Sequence, residues 1–172
     1  ADDNTYAATA PKKAGEYIVK VSVEGTAEWK AATKTFDFAI AKKVLTATGT
    51  KDYDGNVTIV ATPDGVVAGD AVTATITMDS KNVGATVQSV MLEGADKDNY
   101  VIDKTKVTAS ITPMVISVDW EHPYNNSNIL TGEPAELLAG DEAMITVTMS
   151  SANVGSTVQS FKLTGKDAAN YS

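Results

Sequence analysis

The residues with the clearest potential for chemistry form one short loop of oxygen-bearing side chains. Asp96, Asp98 and Asn99 lie close together in the sequence, and carboxylate and amide oxygens are the ligands that Ca²⁺ prefers. A related loop, Asp167-Ala168-Ala169-Asn170, has lost one carboxylate. This loss favours a structural interpretation, in which Asp96 and Asn99 organise a turn through side-chain to backbone hydrogen bonds.

Two aromatic residues form the second candidate site. Trp120 and Tyr124 could together provide a platform for a sugar ring. They share their strand parity with Ile116 and Val118, so we expect them on an inward or inter-module face. Packing at a module boundary is therefore the favoured interpretation.

Catalytic groups are scarce. His122 is the only histidine and the chain has no cysteine, which excludes multi-histidine metal centres and thiol nucleophiles. A single His in a polar turn before Pro123 is usually a surface residue. No phosphate-binding glycine loop and no nucleophile elbow is present. We expect no enzymatic activity and no cofactor.

Charge and hydropathy exclude further classes of partner. The formal net charge is −8, and lysines form no cluster. Binding to phosphate backbones requires such a basic stripe, so nucleic acid is not an expected partner. No apolar run approaches the roughly 20 residues that a membrane-spanning helix needs, so we expect no membrane span in this stretch of sequence.

An internal repeat dominates the sequence. Placing Tyr53 over Tyr124, an offset of 71 residues (124 − 53), aligns two long segments without gaps. Ala68-Gly69-Asp70 then matches Ala139-Gly140-Asp141, and Asn99-Tyr100 matches Asn170-Tyr171. Such agreement at constant spacing is the signature of a duplicated structural unit.

The first segment is a degenerate copy of the second half of this unit. Lys13-Ala14-Gly15 matches Asn82-Val83-Gly84. We therefore divide the chain into segment one (1–42), repeat two (43–113) and repeat three (114–172), the last of which we expect to stop before its final strand. The joints between them contain no flexible linker, which predicts limited swivel.

Alternating residues predict strands rather than helices. In Val72–Met78 apolar residues and threonines alternate, and the copy Ala143–Met149 keeps the pattern, which indicates strands with one buried face. In the following strand we expect Val90, Phe161 and Val21 to point inward.

Turn-forming residues separate these strands, because they tolerate positive φ or cap a turn with a side-chain oxygen. The turn motifs comprise Tyr53, Asp54, Gly55, Gly69, Asp70, Asn82, Gly84, Gly140, Asp141, Asn153 and Gly155. About six or seven short strands per repeat predict an all-β fold of tandem small antiparallel β-sandwich (Ig-like) modules. The alternative is a β-grasp-like repeat, which requires a helix that the sequence does not indicate.

The ordered motifs resemble a known family. Tyr53-Asp54-Gly55, Gly65–Asp70, Lys81–Gly84 and Asn99-Tyr100 resemble the YDG-type repeat of bacterial surface proteins. The Pro11–Val21 pattern is similar to bacterial Ig-like and MBG-type repeats. In repeat three Tyr124-Asn125-Asn126 replaces Tyr-Asp-Gly, so we expect its first turn to differ.

The resemblance implies an extracellular, non-catalytic role. We expect a stalk or spacer of a bacterial cell-surface or secreted adhesin-like protein, whose partners are the neighbouring repeats of the same polypeptide. Two alternatives stay open: a module that binds a glycan or a host surface protein, and an accessory domain of a secreted carbohydrate-active enzyme.

Overall fold

The computed structural model describes residue 7 and residues 9–172, and throughout this part of the chain the regular structure is β. Two short 3₁₀ turns, Lys97–Asn99 and Ala168–Asn170, are the only helical elements described. No helix in the described part is long and apolar enough to cross a membrane. The strands are β1 (Gly15–Val23), β2 (Ala32–Ile40), β3 (Lys43–Asp52), β4 (Thr58–Ala61), β5 (Thr73–Met78), β6 (Val87–Glu93), β7 (Tyr100–Thr112), β8 (Ile129–Gly132), β9 (Met144–Met149) and β10 (Val158–Thr164).

Segment one folds as a hairpin. Strands β1 and β2 pair antiparallel from Gly15↔Ile40 to Val23↔Ala32. Its apolar side chains are largely exposed, and Val21 is 49% exposed. The prediction that Val21 points inward is wrong, because the described part of segment one contains only these two strands and no second sheet to cover them.

Repeat two combines two small sheets. Strands β4, β5 and β6 form an antiparallel meander, whereas β3 and β7 pair in parallel. The expectation of antiparallel sheets alone is therefore wrong, and the repeat has five strands rather than six or seven. Parallel pairing requires a long crossover connection. The meander itself serves as that crossover, since it lies between β3 and β7 in the sequence.

The core of repeat two lies between these sheets. Along β5 the apolar side chains Ala74, Ile76 and Met78 are buried, which confirms the strand parity predicted from the alternation. Val107 and Ile111 of β7 join them in one cluster. The β3–β7 pair therefore covers the inner face of the meander.

Repeat three repeats the meander with β8, β9 and β10. Met114 pairs in parallel with Tyr171, at the position equivalent to the first rung of the β3–β7 ladder, Lys43↔Tyr100. Phe161 lies opposite Val147 on the inner face of the meander, as Val90 lies opposite Ile76, but Phe161 is 65% exposed while Val90 is 8% exposed. In repeat two β7 packs against the strand that carries Val90, and among the described residues repeat three has no strand in that place.

Candidate inter-repeat interface

A buried carboxylate joins repeat two to repeat three. The Asp141 side chain is 1% exposed, and its Oδ2 accepts hydrogen bonds from the hydroxyls of Tyr53 (2.5 Å) and Tyr171 (2.7 Å). Lys81 Nζ donates to Oδ1 at 2.8 Å. The rings of Tyr53 and Tyr171 meet edge to face, with centroids 5.5 Å apart. We call these four residues the junction cluster; two come from each repeat.

The junction cluster keeps Asp141 ionised. Burial alone would raise the pKa of Asp141, but the hydrogen bonds from Lys81, Tyr53 and Tyr171 outweigh it and lower the pKa to about 2. The hydrogen bond with Asp141 raises the pKa of Lys81. Burial, aided by the contact with Asp141, raises the pKa of Tyr171 to about 12. The cluster is thus a charged pair, and its two phenols act as neutral donors at physiological pH.

An asparagine forms a second contact at this junction, and an equivalent one occurs at the preceding junction. The Asn170 Oδ1 accepts the backbone N–H of Val83 at 2.8 Å, and its Nδ2 donates to Asn82 Oδ1 at 3.0 Å. Between segment one and repeat two, Asn99 Oδ1 accepts the backbone N–H of Ala14 at 3.0 Å. Asn99 and Asn170 are equivalent residues, so the same contact links each module to its predecessor.

The local turns explain why these groups meet. Each asparagine ends a 3₁₀ turn, which an aspartate ties back to the preceding loop: Asp96 accepts the N–H of Ala71, and Asp167 that of Glu142. On the other side of the junction, Gly84 adopts φ +87°. Glycine adopts this left-handed conformation without strain. Gly84 directly follows Val83, which donates its N–H to Asn170.

The three calcium candidates have different surroundings. Asp96 caps Ala71 and Asn99 contacts Ala14, while Asp98 is exposed. Within the described ranges no three His, Asp or Glu side chains converge on a common point. Asp96 therefore accepts a backbone N–H within its own repeat, as the structural interpretation expects, whereas Asn99 accepts one from segment one and does not organise its own turn with that side-chain oxygen.

The aromatic candidates lie at the free end of repeat three. Trp120 packs on β8, where a Cβ added to Gly132 would lie 2.9 Å from its ring. The equivalent pair in repeat two is reversed in size: a Cβ added to Gly49 would lie 3.7 Å from the Cβ of Ala61. In repeat three the large Trp120 therefore packs against Gly132, whereas in repeat two the small residues Gly49 and Ala61 occupy the equivalent positions.

Tyr124 is exposed, and it lines a cavity of about 230 Å³ together with Trp120 and His122. The His122 ring bonds the carbonyl of Pro123. Its counterpart in repeat two, Lys51, instead contacts Asp54 and the carbonyl of Asn56. Among the described residues, the hydrogen bond of the His122 ring is thus made to a backbone carbonyl.

The first turn of repeat three keeps the geometry of repeat two. Asn126 has φ +58° where Gly55 has φ +77°, since asparagine tolerates this region better than most residues. Asn125 accepts the N–H of Ser127, as Asp54 accepts that of Asn56, both at 2.9 Å. The expected difference between the two turns is therefore not observed.

The Gly-Asp motifs have two roles. Both form turns, because the N–H of Asp70 donates to Val67 O and that of Asp141 to Leu138 O. Both aspartates also accept the hydroxyl of the tyrosine after the asparagine, at 2.6 Å for Tyr100 and Asp70. Sequence analysis assigned these motifs to turns alone and missed Lys81, Asn170 and Tyr171 as contact residues. The repeated Asn-Tyr pair was the available signal.

These features define a class of all-β protein with several small sheets. The model of the YDG domain family matches residues 39–109, which covers repeat two almost completely. The resemblance predicted from its motifs is confirmed for this part of the chain. No curated protein and no solved structure matches the chain.

Proposed function

We propose that this chain is a non-catalytic spacer, built from stacked small β-sandwich (Ig-like) repeats, of a bacterial cell-surface or secreted adhesin-like protein. Its direct partners are the neighbouring repeats of the same polypeptide. The observation that carries the proposal is the asparagine contact at both junctions, Asn99 to Ala14 and Asn170 to Val83. A contact repeated at each joint fixes the orientation of successive modules, as a stiff spacer requires.

The organisation of repeat two supports the sandwich arrangement. Side chains from β3, from the meander and from β7 contribute to one core cluster, as two facing sheets do in a sandwich. The joint to repeat three is short, since β7 ends at Thr112 and Met114 already pairs with Tyr171. Short joints and buried junction contacts together favour a rod over a flexible chain.

The spacing between repeats tests the spacer proposal. Met91 and Lys162 occupy equivalent, exposed positions in the two repeats, and the chain has no native cysteine. Spin labels on Met91→Cys and Lys162→Cys therefore measure the distance from one module to the next. A stiff spacer gives one narrow distance distribution by pulsed electron spin resonance, and Asn170→Ala broadens it.

The matched control is Asp79→Ala, which removes contacts to Thr86 within one module and leaves the distribution unchanged. A broad distribution in the unmodified background, with both repeats folded, would contradict the spacer proposal. A glycan array probed with the same chain tests the alternative binding function, and saturable binding of a defined glycan would favour it.

A further inference from the structure

Repeat three carries a surface at the positions that correspond to the interface of repeat two. In repeat two the distal face, defined by Tyr53, Asn82 and Val83, contacts repeat three. The corresponding residues of repeat three, which lie 71 positions later, are Tyr124, Asn153 and Val154. We refer to these three as the free distal face.

Exposure separates the two faces sharply. Tyr53 is 2% exposed and Tyr124 is 64% exposed. Val83 is half-buried, whereas Val154 is 90% exposed. Because the turn that carries Asn125 and Asn126 keeps the same geometry in both repeats, the difference does not arise from a different first turn. The difference in exposure arises because repeat three covers the distal face of repeat two, while no described residue covers the free distal face.

The groups of repeat three that cover the distal face of repeat two indicate which chemistry would fit the free distal face. Repeat three presents its proximal face, formed by Leu138, Asp141, Asn170 and Tyr171. Leu138 Cδ1 reaches within 3.4 Å of the Cβ position of Gly55, and Leu138 packs against the core cluster that contains Tyr53. The cavity of about 230 Å³ at the free distal face is lined by both polar and apolar side chains, and Leu130 and Met149 are among the apolar ones. An aliphatic side chain placed like Leu138 would enter this space.

We propose that the free distal face of repeat three binds the proximal face of another repeat of the same type. The inference rests on the spacer function proposed above and names the partner of this surface. In the bound state the partner's asparagine accepts the N–H of Val154, and its aspartate accepts the hydroxyl of Tyr124. The partner's leucine fills the cavity beside Trp120.

Two substitutions distinguish this interface from the filled one. Ala152 stands where repeat two has Lys81, so no lysine reaches the partner's carboxylate from this position. Trp120 stands where repeat two has Gly49 and lines the cavity. We therefore expect contact at this face to depend more on apolar area and less on ionic strength than at the junction cluster.

A second copy of the whole chain is a poorer occupant than a repeat added in line. The proximal face of repeat three is buried against repeat two, and Asn99 of repeat two already contacts segment one. Among the described residues of a separate copy, the asparagines of both proximal faces are therefore already engaged. The matching partner is a repeat that follows repeat three directly, in the same register as repeat three follows repeat two.

The duplication itself supplies the test. Because Ser172 is equivalent to Val101, appending residues 102–113 continues the repeat in register and adds only a final strand. Appending residues 102–113 followed by residues 43–113 adds that strand and a complete further repeat with a free proximal face. Amide hydrogen exchange by mass spectrometry is followed in the peptide Ser151–Ser156, whose sequence occurs once in both extended chains.

The proposal predicts that exchange in this peptide slows at least about tenfold in the chain with the further repeat and not in the chain with the strand alone. Asn99→Ala in the appended copy restores fast exchange, while the peptides of the appended core stay protected. Equal exchange in the two extended chains, with the appended repeat folded, overturns the proposal.

The spacer function is judged separately, since the Met91–Lys162 distance concerns only the junction that is already filled. A narrow distance there, together with no protection of Ser151–Ser156, would retain the spacer and reject this docking face. A glycan-array signal that Trp120→Ala abolishes and that the appended repeat does not block would likewise overturn the proposal.

Discussion

The hydrogen bonds of Asp141 show that one buried residue depends on the neighbouring repeat. A carboxylate that is 1% exposed is costly to bury unless donors surround it, and here the donors Tyr53 and Lys81 come from the neighbouring repeat. Asp70, the equivalent residue in repeat two, accepts the hydroxyl of Tyr100 of its own repeat. The intramodular tyrosine contact is thus repeated, and the junction adds further donors to it.

Removal of one donor should weaken the junction. Tyr53→Phe leaves the ring in place but deprives a buried carboxylate of a hydrogen bond, which costs about 1.5–3 kcal/mol for a charged acceptor. The control is Tyr124→Phe, the same change at the equivalent exposed residue, expected within about 0.5 kcal/mol of the unmodified chain. Urea denaturation measures both; equal losses would show that Tyr53 contributes through its ring alone.

The junction should also weaken in acid. The pKa of Asp141 is lowered from 3.8 to about 2, so its contribution is complete above the unfolded value near 3.8 and is lost as the pH falls towards 2. The difference in stability between the unmodified chain and Asp141→Asn should therefore shrink over that interval. Thermal unfolding at a series of pH values checks this, and a difference that stays constant down to pH 2 would contradict it.

At the scale of the element, the sequence predicted which side chains of a strand point inward better than it predicted which strands lie next to each other. The alternation in β5 and β9 correctly placed Ile76 and Val147 inward, because period two is a local property. The parallel β3–β7 pair could not be anticipated, since its partners are separated by the whole meander. The same rule could not predict that Val21 and Phe161 are exposed, because burial depends on what covers the sheet rather than on the strand itself.

At the candidate interface, too, local features could be predicted from the sequence and contacts between distant residues could not. The turn residues could be found from their types, because positive φ and side-chain capping are local requirements. The contact between Tyr53 and Asp141 joins residues 88 positions apart in different repeats. No pattern within one repeat indicates such a contact. Only the retention of Asn-Tyr in both copies pointed to a shared role.

One turn element can be tested through its glycine. Gly94 follows β6 with φ +110°, and a Cβ there would lie 2.2 Å from the carbonyl oxygen of Ala71. Gly94→Ala should therefore cost at least about 3 kcal/mol, from left-handed strain and overpacking together. Gly69→Ala, at φ +95° with nothing within 4 Å, should cost only the strain, about 1–2 kcal/mol. Urea denaturation that gave equal losses would show that the close approach relaxes.

At the scale of the whole molecule, small modules gain stability from their neighbours. A domain of about 60 residues buries only about 60% of its unfolded surface and is marginal alone. Tyr171 of repeat three belongs to the same core cluster as Tyr53 of repeat two, and Leu137 and Leu138 pack against it. The two repeats therefore share a continuous apolar core, and nearest-neighbour coupling of this kind makes repeats unfold together.

Breaking the asparagine contact should separate the two unfolding events. Asn170→Ala removes the acceptor for the Val83 N–H and the donor to Asn82, and an unsatisfied buried group costs about 1–3 kcal/mol. We expect one calorimetric transition in the unmodified chain for repeats two and three, and two transitions in Asn170→Ala, with repeat three melting first because its Phe161 face is uncovered. Asn153→Ala, at an exposed asparagine, should leave a single transition. If Asn170→Ala also melts in one step, shifted no more than Asn153→Ala, the coupling between repeats does not depend on this side chain.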